Sequence, residues 1–95
     1  MVTQKIVVAE PSGLHLRPAG KLCEMCLEYQ SKIQIKKGTH IANAKSVLGI
    51  LAARVQQGDE IEIICDGADE DEALAALVTV MQEGFGLPAV EEKKE

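Results

Sequence analysis

The sequence predicts an α+β fold, an open-faced β-sandwich in which three helices cover one face of a four-stranded antiparallel sheet. The candidate strands alternate apolar and polar side chains, which is typical of strands with one face in water. The candidate elements follow one another in the order β-α-β-β-α-β-α. The chain has 95 residues, which is enough for one two-layer core and no second domain.

Four segments have the alternation expected of strands: residues 2–8, 32–36, 39–43 and 60–65. Lys37 and Gly38 supply a turn between the second and third segments, which therefore form a hairpin. The strand residues predicted to face the core are Ile6, Val8, Ile33, Ile35, Ile61, Ile63 and Cys65.

The first helix is located by Pro18, because proline is tolerated only in a first turn. We expect this helix to begin near Leu16, with His15 at or beside its N-cap position. Apolar residues then recur at helical spacing and define one buried stripe. The stripe consists of Ala19, Leu22, Cys23, Cys26 and Tyr29, and Lys21, Glu24 and Glu28 lie outside it.

A short second helix is predicted over residues 47–53, with Ser46 as a good N-cap. Its large aliphatic side chains are Val47, Leu48, Ile50 and Leu51. Four such side chains are too many for one narrow buried stripe, so part of this apolar surface should be exposed.

The third helix is predicted from an acid-rich start and from its apolar spacing. Asp69 caps it, and the acids Glu70, Asp71 and Glu72 suit the positive end of a helix dipole. Its core face consists of Leu74, Leu77, Val78 and Met81, and Gly84 and Gly86 can end it. We therefore expect one domain over residues 1–86 and a frayed polar tail over residues 87–95.

Composition excludes several classes of function. One Tyr, one Phe and no Trp leave no aromatic platform on which single-stranded nucleic acid could stack. A large enclosed small-molecule pocket is not expected, because a chain of this size needs its apolar residues for packing. Neither a membrane span nor a secretion signal is found, and three cysteines fit a reducing compartment. We expect a cytoplasmic protein without nucleic-acid partners or membrane insertion.

The net charge of -5 conceals a division along the chain. Residues 1–57 carry eight Lys and Arg against three acids, whereas residues 58–95 carry twelve acids against two lysines. The basic half could bind phosphate or an acidic partner, and the acidic half would repel nucleic acid. The alternative is a solvated surface whose charges are unevenly ordered along the sequence.

The heptad from Gly13 to Ala19 carries the strongest indication of chemistry. A histidine at a loop-to-helix junction lies among amides that lack an intrahelical partner. The amides of Leu16 and Arg17, with that of Ala19 as a third candidate, would form an anion site. Arg17 adds a fixed charge with fork geometry for phosphate oxygens. Because neutral imidazole is a nucleophile, His15 could carry a phosphoryl group.

Three other roles for His15 stay open. A histidine at a cap position can be purely structural. Metal binding has little support, because His40 is the only other histidine and no acids cluster with either. General-base catalysis would need a buried substrate, and no pocket is indicated nearby. We expect no metal and no cofactor.

Cys23 and Cys26 have the spacing of a redox or zinc motif. A redox pair needs an exposed, activated thiolate at a helix start, whereas these residues lie mid-helix on the predicted buried stripe. A zinc site would need further ligands, and Cys65 lies on a strand that faces the same core. We interpret all three as small apolar core residues, with a thiol-redox module as the alternative.

The heptad, its spacing to the segment Lys45-Ser46-Val47-Leu48-Gly49 and the order of elements resemble HPr, the histidine-containing phosphocarrier family of the bacterial sugar phosphotransferase system. The resemblance runs from residue 3 to residue 84. It implies the strand order 1-4-2-3 with three helices on one face. It also implies a stoichiometric phosphocarrier and not an independent enzyme.

The resemblance assigns roles to individual residues. The family's active histidine takes a phosphoryl group on Nδ1 from phosphorylated enzyme I and passes it to a histidine of an enzyme IIA domain, and His15 matches it. Arg17 matches the phosphate-facing arginine, Pro18 the helix-starting proline, and Ser12 a loop position near the phosphate. Leu16 would contribute its amide to the same site.

Ser46 supports two interpretations. As an N-cap it has a sufficient structural role. The form Lys45-Ser46-x-x-Gly49 also resembles HPr of Gram-positive bacteria, in which an HPr kinase/phosphorylase modifies this serine. There the phosphoserine weakens phosphate acceptance from enzyme I and promotes binding to a catabolite-control transcription factor. A dianion beside an apolar docking site would repel an acidic partner.

Partners are expected to dock on the exposed part of the second helix and on the rim of the first. The residues of this docking surface are Gly20, Lys21, Glu24, Val47, Leu48 and Leu51. Glu24 and Leu27 stand at positions that are often basic in the family. Two functions therefore compete: a phosphocarrier acting through His15, and a regulatory binding module governed by Ser46.

Overall fold

One antiparallel sheet and three helices make up the part of the chain that the structure, a computed structural model, describes: residues 1–9 and 13–83. The strands are β1 (Val2–Val7), β2 (Lys32–Lys37), β3 (His40–Asn43) and β4 (Glu60–Asp66). The helices are α1 (Leu16–Cys26), α2 (Val47–Ala52) and α3 (Glu70–Glu83). The sheet order is β1-β4-β2-β3, so the predicted fold class and strand order are confirmed.

The strand β4 lies in the middle of the sheet and pairs antiparallel with both β1 and β2. Alternate residues of each strand point to opposite faces. On the face under the helices, Ile61 stands opposite Ile6. On the other face, termed the open face, Glu62 stands between Lys5 and Lys36. This alternation explains why one face packs and the other is solvated.

The core is almost entirely aliphatic, as the scarcity of aromatic residues predicts. The strand residues predicted to face inward are all buried: Ile6, Val8, Ile33, Ile35, Ile61, Ile63 and Cys65. The helices contribute the buried residues Ala19, Leu22, Cys23, Cys26, Ile50, Ala73, Leu77 and Met81. Tyr29, Leu74 and Val78 were expected in the core but are only partly buried. Each large aliphatic side chain buried here contributes roughly 1.5–3 kcal/mol.

The three cysteines are free thiols inside this core. Cys23 is 8% exposed, and Cys26 and Cys65 are 0% exposed. Burial raises the pKa of the Cys26 thiol to about 12, which leaves it protonated at neutral pH. The interpretation of Cys23 and Cys26 as core residues therefore agrees with the structure, and neither side chain has the exposure that redox chemistry requires.

Asp69 occupies the predicted N-cap position of α3, since its carbonyl accepts the Ala73 amide at 2.9 Å. Its carboxylate instead binds the segment after α1. The oxygens accept the amides of Gln30 at 2.8 Å and Ser31 at 2.9 Å, and the Ser31 hydroxyl also donates to them. These bonds, led by the Ser31 hydroxyl, hold the pKa of Asp69 below its ordinary value. Asp69 therefore joins two distant segments.

Replacing this hydroxyl, Ser31→Ala, should lower stability at neutral pH and weaken its acid dependence. Because the folded-state pKa of Asp69 is lowered, its contribution is present above the ordinary value of 3.8 and is lost as the pH falls through the lowered pKa. The variant raises that pKa and shrinks the loss. Urea midpoints of the two proteins, measured from neutral pH down to about pH 2, should converge. Parallel curves would contradict this account.

Several sequence predictions lie outside the described residues. They are the position of Ser12, the end of the last helix at Gly84 and Gly86, the domain boundary at residue 86 and the polar tail over residues 87–95. Within the described ranges, no helix combines the length and apolarity needed to cross a bilayer.

Candidate functional site

His15 stands at the junction between the loop after β1 and the start of α1. It is the N-cap residue of α1, with extended backbone angles (φ -82°, ψ -171°), and it is exposed. Its imidazole makes no capping hydrogen bond to the helix in the described structure. The preceding residue, Leu14, is only 3% exposed and anchors the loop in the core. The ring is therefore presented to solvent from an anchored backbone.

The first turn of α1 offers two amides to an anion beside His15. Leu16 and Arg17 occupy the first two helical positions, whose amides have no acceptor within the helix. Pro18 has no amide hydrogen. The suggestion that Ala19 is a third donor is wrong, because its amide donates to the His15 carbonyl at 2.8 Å as the first bond of the helix.

Three side chains of the predicted phosphate site, those of Leu16, Arg17 and Pro18, also lie at this turn. The side chain of Arg17 is exposed. Pro18 lies in the first turn of the helix, which its fixed φ favours, and it is buried. Leu16 is 68% exposed, so it adds apolar surface next to the imidazole. The structure thus places a nucleophile, a guanidinium and two amides within three consecutive residues.

The loop that carries His15 is clamped to the segment after α2. Leu14 donates its amide to the Val55 carbonyl at 2.9 Å. Gly13 has φ +68°, and a Cβ there would lie 2.5 Å from the Val55 oxygen and 2.8 Å from the Gln56 Cα. Glycine is required at this position both for the left-handed backbone and for the close approach.

A small cleft opens beside His15 at this clamp. Its volume is about 150 Å³, below the range typical of ligand pockets. The described residues that line it are Leu14, His15, Leu51, Arg54, Val55 and Gln56. No such cleft was expected from the sequence, and it is too small to enclose a sugar or nucleotide, though it can admit a group the size of phosphate.

Ser46 caps α2, as predicted. Its hydroxyl accepts the Gly49 amide at 3.1 Å, and the side chain is half-buried. A Cβ at Gly49 would lie 3.4 Å from the Ser46 oxygen, so glycine leaves room around the hydroxyl. The neighbouring Lys45 is directed elsewhere, because its ammonium donates to the Tyr29 carbonyl at 2.7 Å.

The docking surface predicted on α1 and α2 is partly apolar and partly charged. Leu48 is 79% exposed, whereas Val47 and Leu51 are half-buried and Ile50 is fully buried. The four aliphatic side chains of α2 are thus divided between core and surface as expected. On α1, the ammonium of Lys21 lies 3.7 Å from a carboxylate oxygen of Glu24. This exposed pair adds little stability but partly neutralises Lys21.

A larger depression of about 230 Å³ lies on the open face of the sheet, among Lys5, Lys36 and Glu62. It is shallow and lies on the face opposite the helices, away from His15. In the described ranges, no group of three or more His, Cys, Asp or Glu side chains is arranged to hold a metal ion.

Comparison with known proteins identifies the family to which this chain belongs. The model of the PTS-HPr family, described as the PTS HPr component phosphorylation site, matches residues 2–83. The chain belongs to the HPr phosphocarrier family. The matched residues include both His15 and Ser46.

Relatives of the HPr family agree with this assignment in sequence and in structure. The chain is 36% identical over 83 residues to phosphocarrier protein HPr of Lysinibacillus sphaericus, covering 87% of this chain and 94% of that protein. It is also 36% identical to the HPr-like protein Crh of Bacillus subtilis, covering 87% and 98%. The crystal structure of HPr-C-His from Thermoanaerobacter tengcongensis matches with a TM-score of 0.89 and 34% identity, covering 94% and 100%.

Sequence reasoning missed Arg54 at this HPr-family site. Arg54 follows the C-cap of α2 and lines the cleft with His15, although 39 positions separate them in the sequence. Its basic character was the only available signal, and nothing in the local pattern links it to the heptad.

Gly20 offers a test of the α1 surface in this HPr-family chain. A Cβ at Gly20 would meet nothing within 4 Å, so Gly20→Ala introduces no clash. Alanine has the higher helix propensity, and we expect the free energy of unfolding to rise by about 1 kcal/mol in urea denaturation. A lower stability would show that this surface is more crowded than the structure indicates.

Proposed function

We propose that this protein is a cytoplasmic phosphocarrier that accepts a phosphoryl group on His15 from phosphorylated enzyme I and passes it to a histidine of an enzyme IIA domain during sugar uptake. The observation that carries this proposal is the exposed imidazole at the N-terminus of α1, next to Arg17 and the two first-turn amides. The membership of the chain in the HPr family supports it.

The geometry suits a nucleophilic step. A ring nitrogen of His15, Nδ1 in the family, attacks the phosphorus of the donor phosphohistidine. The new N–P bond forms as the donor's N–P bond breaks, and the electron pair of the broken bond returns to the donor imidazole. Arg17 and the amides of Leu16 and Arg17 neutralise the oxygens of the transferring group.

Exposure of the site suits the onward transfer. A carrier that held the phosphoryl group too tightly would stall, because the stabilised intermediate would face a higher barrier. Among the described residues of α1, the group at His15 would meet an exposed arginine and two amides. The docking surface around Leu48 would bring the second histidine into line.

Incubation with enzyme I and phosphoenolpyruvate tests the proposal. The expected product is one acid-labile, base-stable phosphoryl group per chain, located by mass spectrometry on His15. His15→Ala should abolish uptake, and the matched variant His40→Ala, which removes the other histidine from an exposed position on β3, should not. Uptake that persists in His15→Ala would overturn the proposal.

Ser46 supports a second candidate function: regulation by an HPr kinase/phosphorylase and binding of the phosphoserine form to a catabolite-control transcription factor. The observation that favours it is the position of the Ser46 hydroxyl, half-buried at the N-terminus of α2 and two residues from the exposed Leu48. A phosphate there would gain from the first-turn amides and would place a dianion on the rim of the docking surface.

Two substitutions separate the charge of Ser46 from its capping role. Asparagine and aspartate both cap helices well, but only aspartate adds charge. Ser46→Asp should slow phosphoryl acceptance from enzyme I, whereas Ser46→Asn should retain the wild-type rate. Equal rates in the two variants would remove the electrostatic basis for regulation through this serine.

A further inference from the structure

Arg54 has a backbone conformation that is unusual for a long side chain. Among the described residues other than glycine, it is the one with positive φ, at 54°. In this left-handed region an L-residue is disfavoured by roughly 1–2 kcal/mol, since its Cβ approaches the following carbonyl. Asn, Asp and Gly adopt it far more readily than Arg does. Backbone strain of this kind is concentrated at functional sites, so a function of the Arg54 side chain is expected.

The conformation of Arg54 is secured on both sides. Its amide donates to the Leu51 carbonyl at 3.2 Å, and its carbonyl accepts the Lys37 ammonium at 2.7 Å. Lys37 is fixed in turn by the Asp59 carboxylate at 2.9 Å. Hydrogen bonds hold both the amide and the carbonyl of Arg54. They therefore fix the position from which its side chain extends toward the cleft.

The cleft is where this side chain and His15 meet. Both residues line it, and the other described residues of the lining are uncharged: Leu14, Leu51, Val55 and Gln56. The clamp between Leu14 and Val55, 2.9 Å long, fixes the two loops against each other. Among the described residues of α2 and the segment after it, Arg54 therefore supplies the charge in the cleft.

The positive charge of Arg54 changes how the cleft interacts with an anion. The cleft lies between the N-terminus of α1 and the C-terminal end of α2. The amides of α1 attract an anion, whereas the last carbonyls of α2 would repel one. A guanidinium one residue beyond the C-cap of α2 reverses that repulsion.

We propose that Arg54 is a second phosphate-binding arginine, which contacts the oxygens of the phosphoryl group on His15 from the side opposite Arg17. This inference rests on the phosphocarrier function proposed above and adds a binding residue to its site. Two guanidinium forks would hold the dianionic form of the group, and their exposure keeps the hold weak enough for transfer.

Phosphorus NMR of protein phosphorylated chemically tests this without any partner enzyme. Phosphoramidate transfers its phosphoryl group to an imidazole nitrogen and releases ammonia, so His15 can be loaded directly. A nearby cation favours the dianion and lowers the phosphoryl pKa. In Arg54→Gln we expect that pKa to rise by about half a unit, and Arg54→Lys should recover most of the shift.

The matched control is Lys5→Gln, which removes the same charge from the open face of the sheet. Its phosphoryl pKa should equal that of the wild type.

A second readout separates binding from folding: Arg54→Gly removes both the cation and the backbone strain. It should therefore unfold at a higher urea concentration than the wild type while showing the raised phosphoryl pKa.

The outcomes are distinguishable from those of the proposed function. If His15 loads and Arg54→Gln leaves the phosphoryl pKa unchanged, or Lys5→Gln raises it equally, Arg54 is not a phosphate ligand although the carrier function stands. If enzyme I delivers no phosphoryl group to His15 in the wild type, the carrier function fails, whatever the NMR result.

Discussion

Gly13→Ala is expected to destabilise the protein by roughly 3 kcal/mol and to slow phosphoryl acceptance by about tenfold or more. The left-handed backbone costs a residue with a Cβ about 1–2 kcal/mol, and the Cβ would also lie only 2.5 Å from the Val55 oxygen. Relief of that overlap must separate the two loops and lengthen the hydrogen bond from Leu14 to Val55. Because His15 is the residue after Leu14, its imidazole moves with the loop.

Gly38→Ala is the matched control for this prediction. Gly38 also has a positive φ, +61°, but a Cβ there would meet nothing within 4 Å. It should therefore lose only the backbone component, about 1–2 kcal/mol, and keep the wild-type transfer rate. Urea denaturation and phosphoryl transfer from enzyme I measure the two effects. Equal behaviour of the two variants would show that the close approach at Gly13 has no consequence.

Leu48→Asp is expected to lower the efficiency of phosphoryl acceptance by roughly thirtyfold with little change in stability. Leu48 is 79% exposed, so the folded protein loses almost no packing when it is replaced. A partner that covers it would lose an apolar contact and bury an unpaired carboxylate, which costs about 2 kcal/mol at the centre of an interface. Aspartate would also repel an acidic partner.

Ile41→Asp supplies the comparison for Leu48. Ile41 is 52% exposed on β3, and its neighbour Ala42 is buried under the helices, so Ile41 faces the open side of the sheet. The same change of side chain there should leave the transfer efficiency near that of the wild type. If both variants slow transfer equally, the effect comes from net charge and the docking surface is not at Leu48.

The sequence was most informative where a local rule decides the structure. Pro18 restricts the start of α1 to a position near Leu16, where the structure shows it, and the capping chemistry of Ser46 locates the start of α2. Strict alternation identified the inward residues of β2, and the strand pattern of residues 60–65 identified those of β4. These rules depend on a few neighbouring residues, so a single sequence contains all that they require.

Long-range contacts explain what the residues alone did not predict. Asp69 is recognisable as a helix cap, but the partner of its carboxylate is Ser31, which lies 38 positions away. Arg54 adopts its left-handed conformation because Lys37 and the end of α2 hold it, not because of any preference of arginine. The strand order came from family resemblance, since alternation identifies strands but not their neighbours.

The central position of β4 also determines when the site can form. β1 has β4 as its neighbour in the sheet, and their pairing joins Val2 to Cys65 across most of the described chain. Such distant pairings form slowly, because a long loop must close before any contact compensates for the lost entropy. During synthesis, the hairpin of β2 and β3 can form early, whereas β1 must wait for residue 66 to emerge. His15 is translated early in the chain, yet we expect the sheet beneath it to be completed only after β4 has been synthesised.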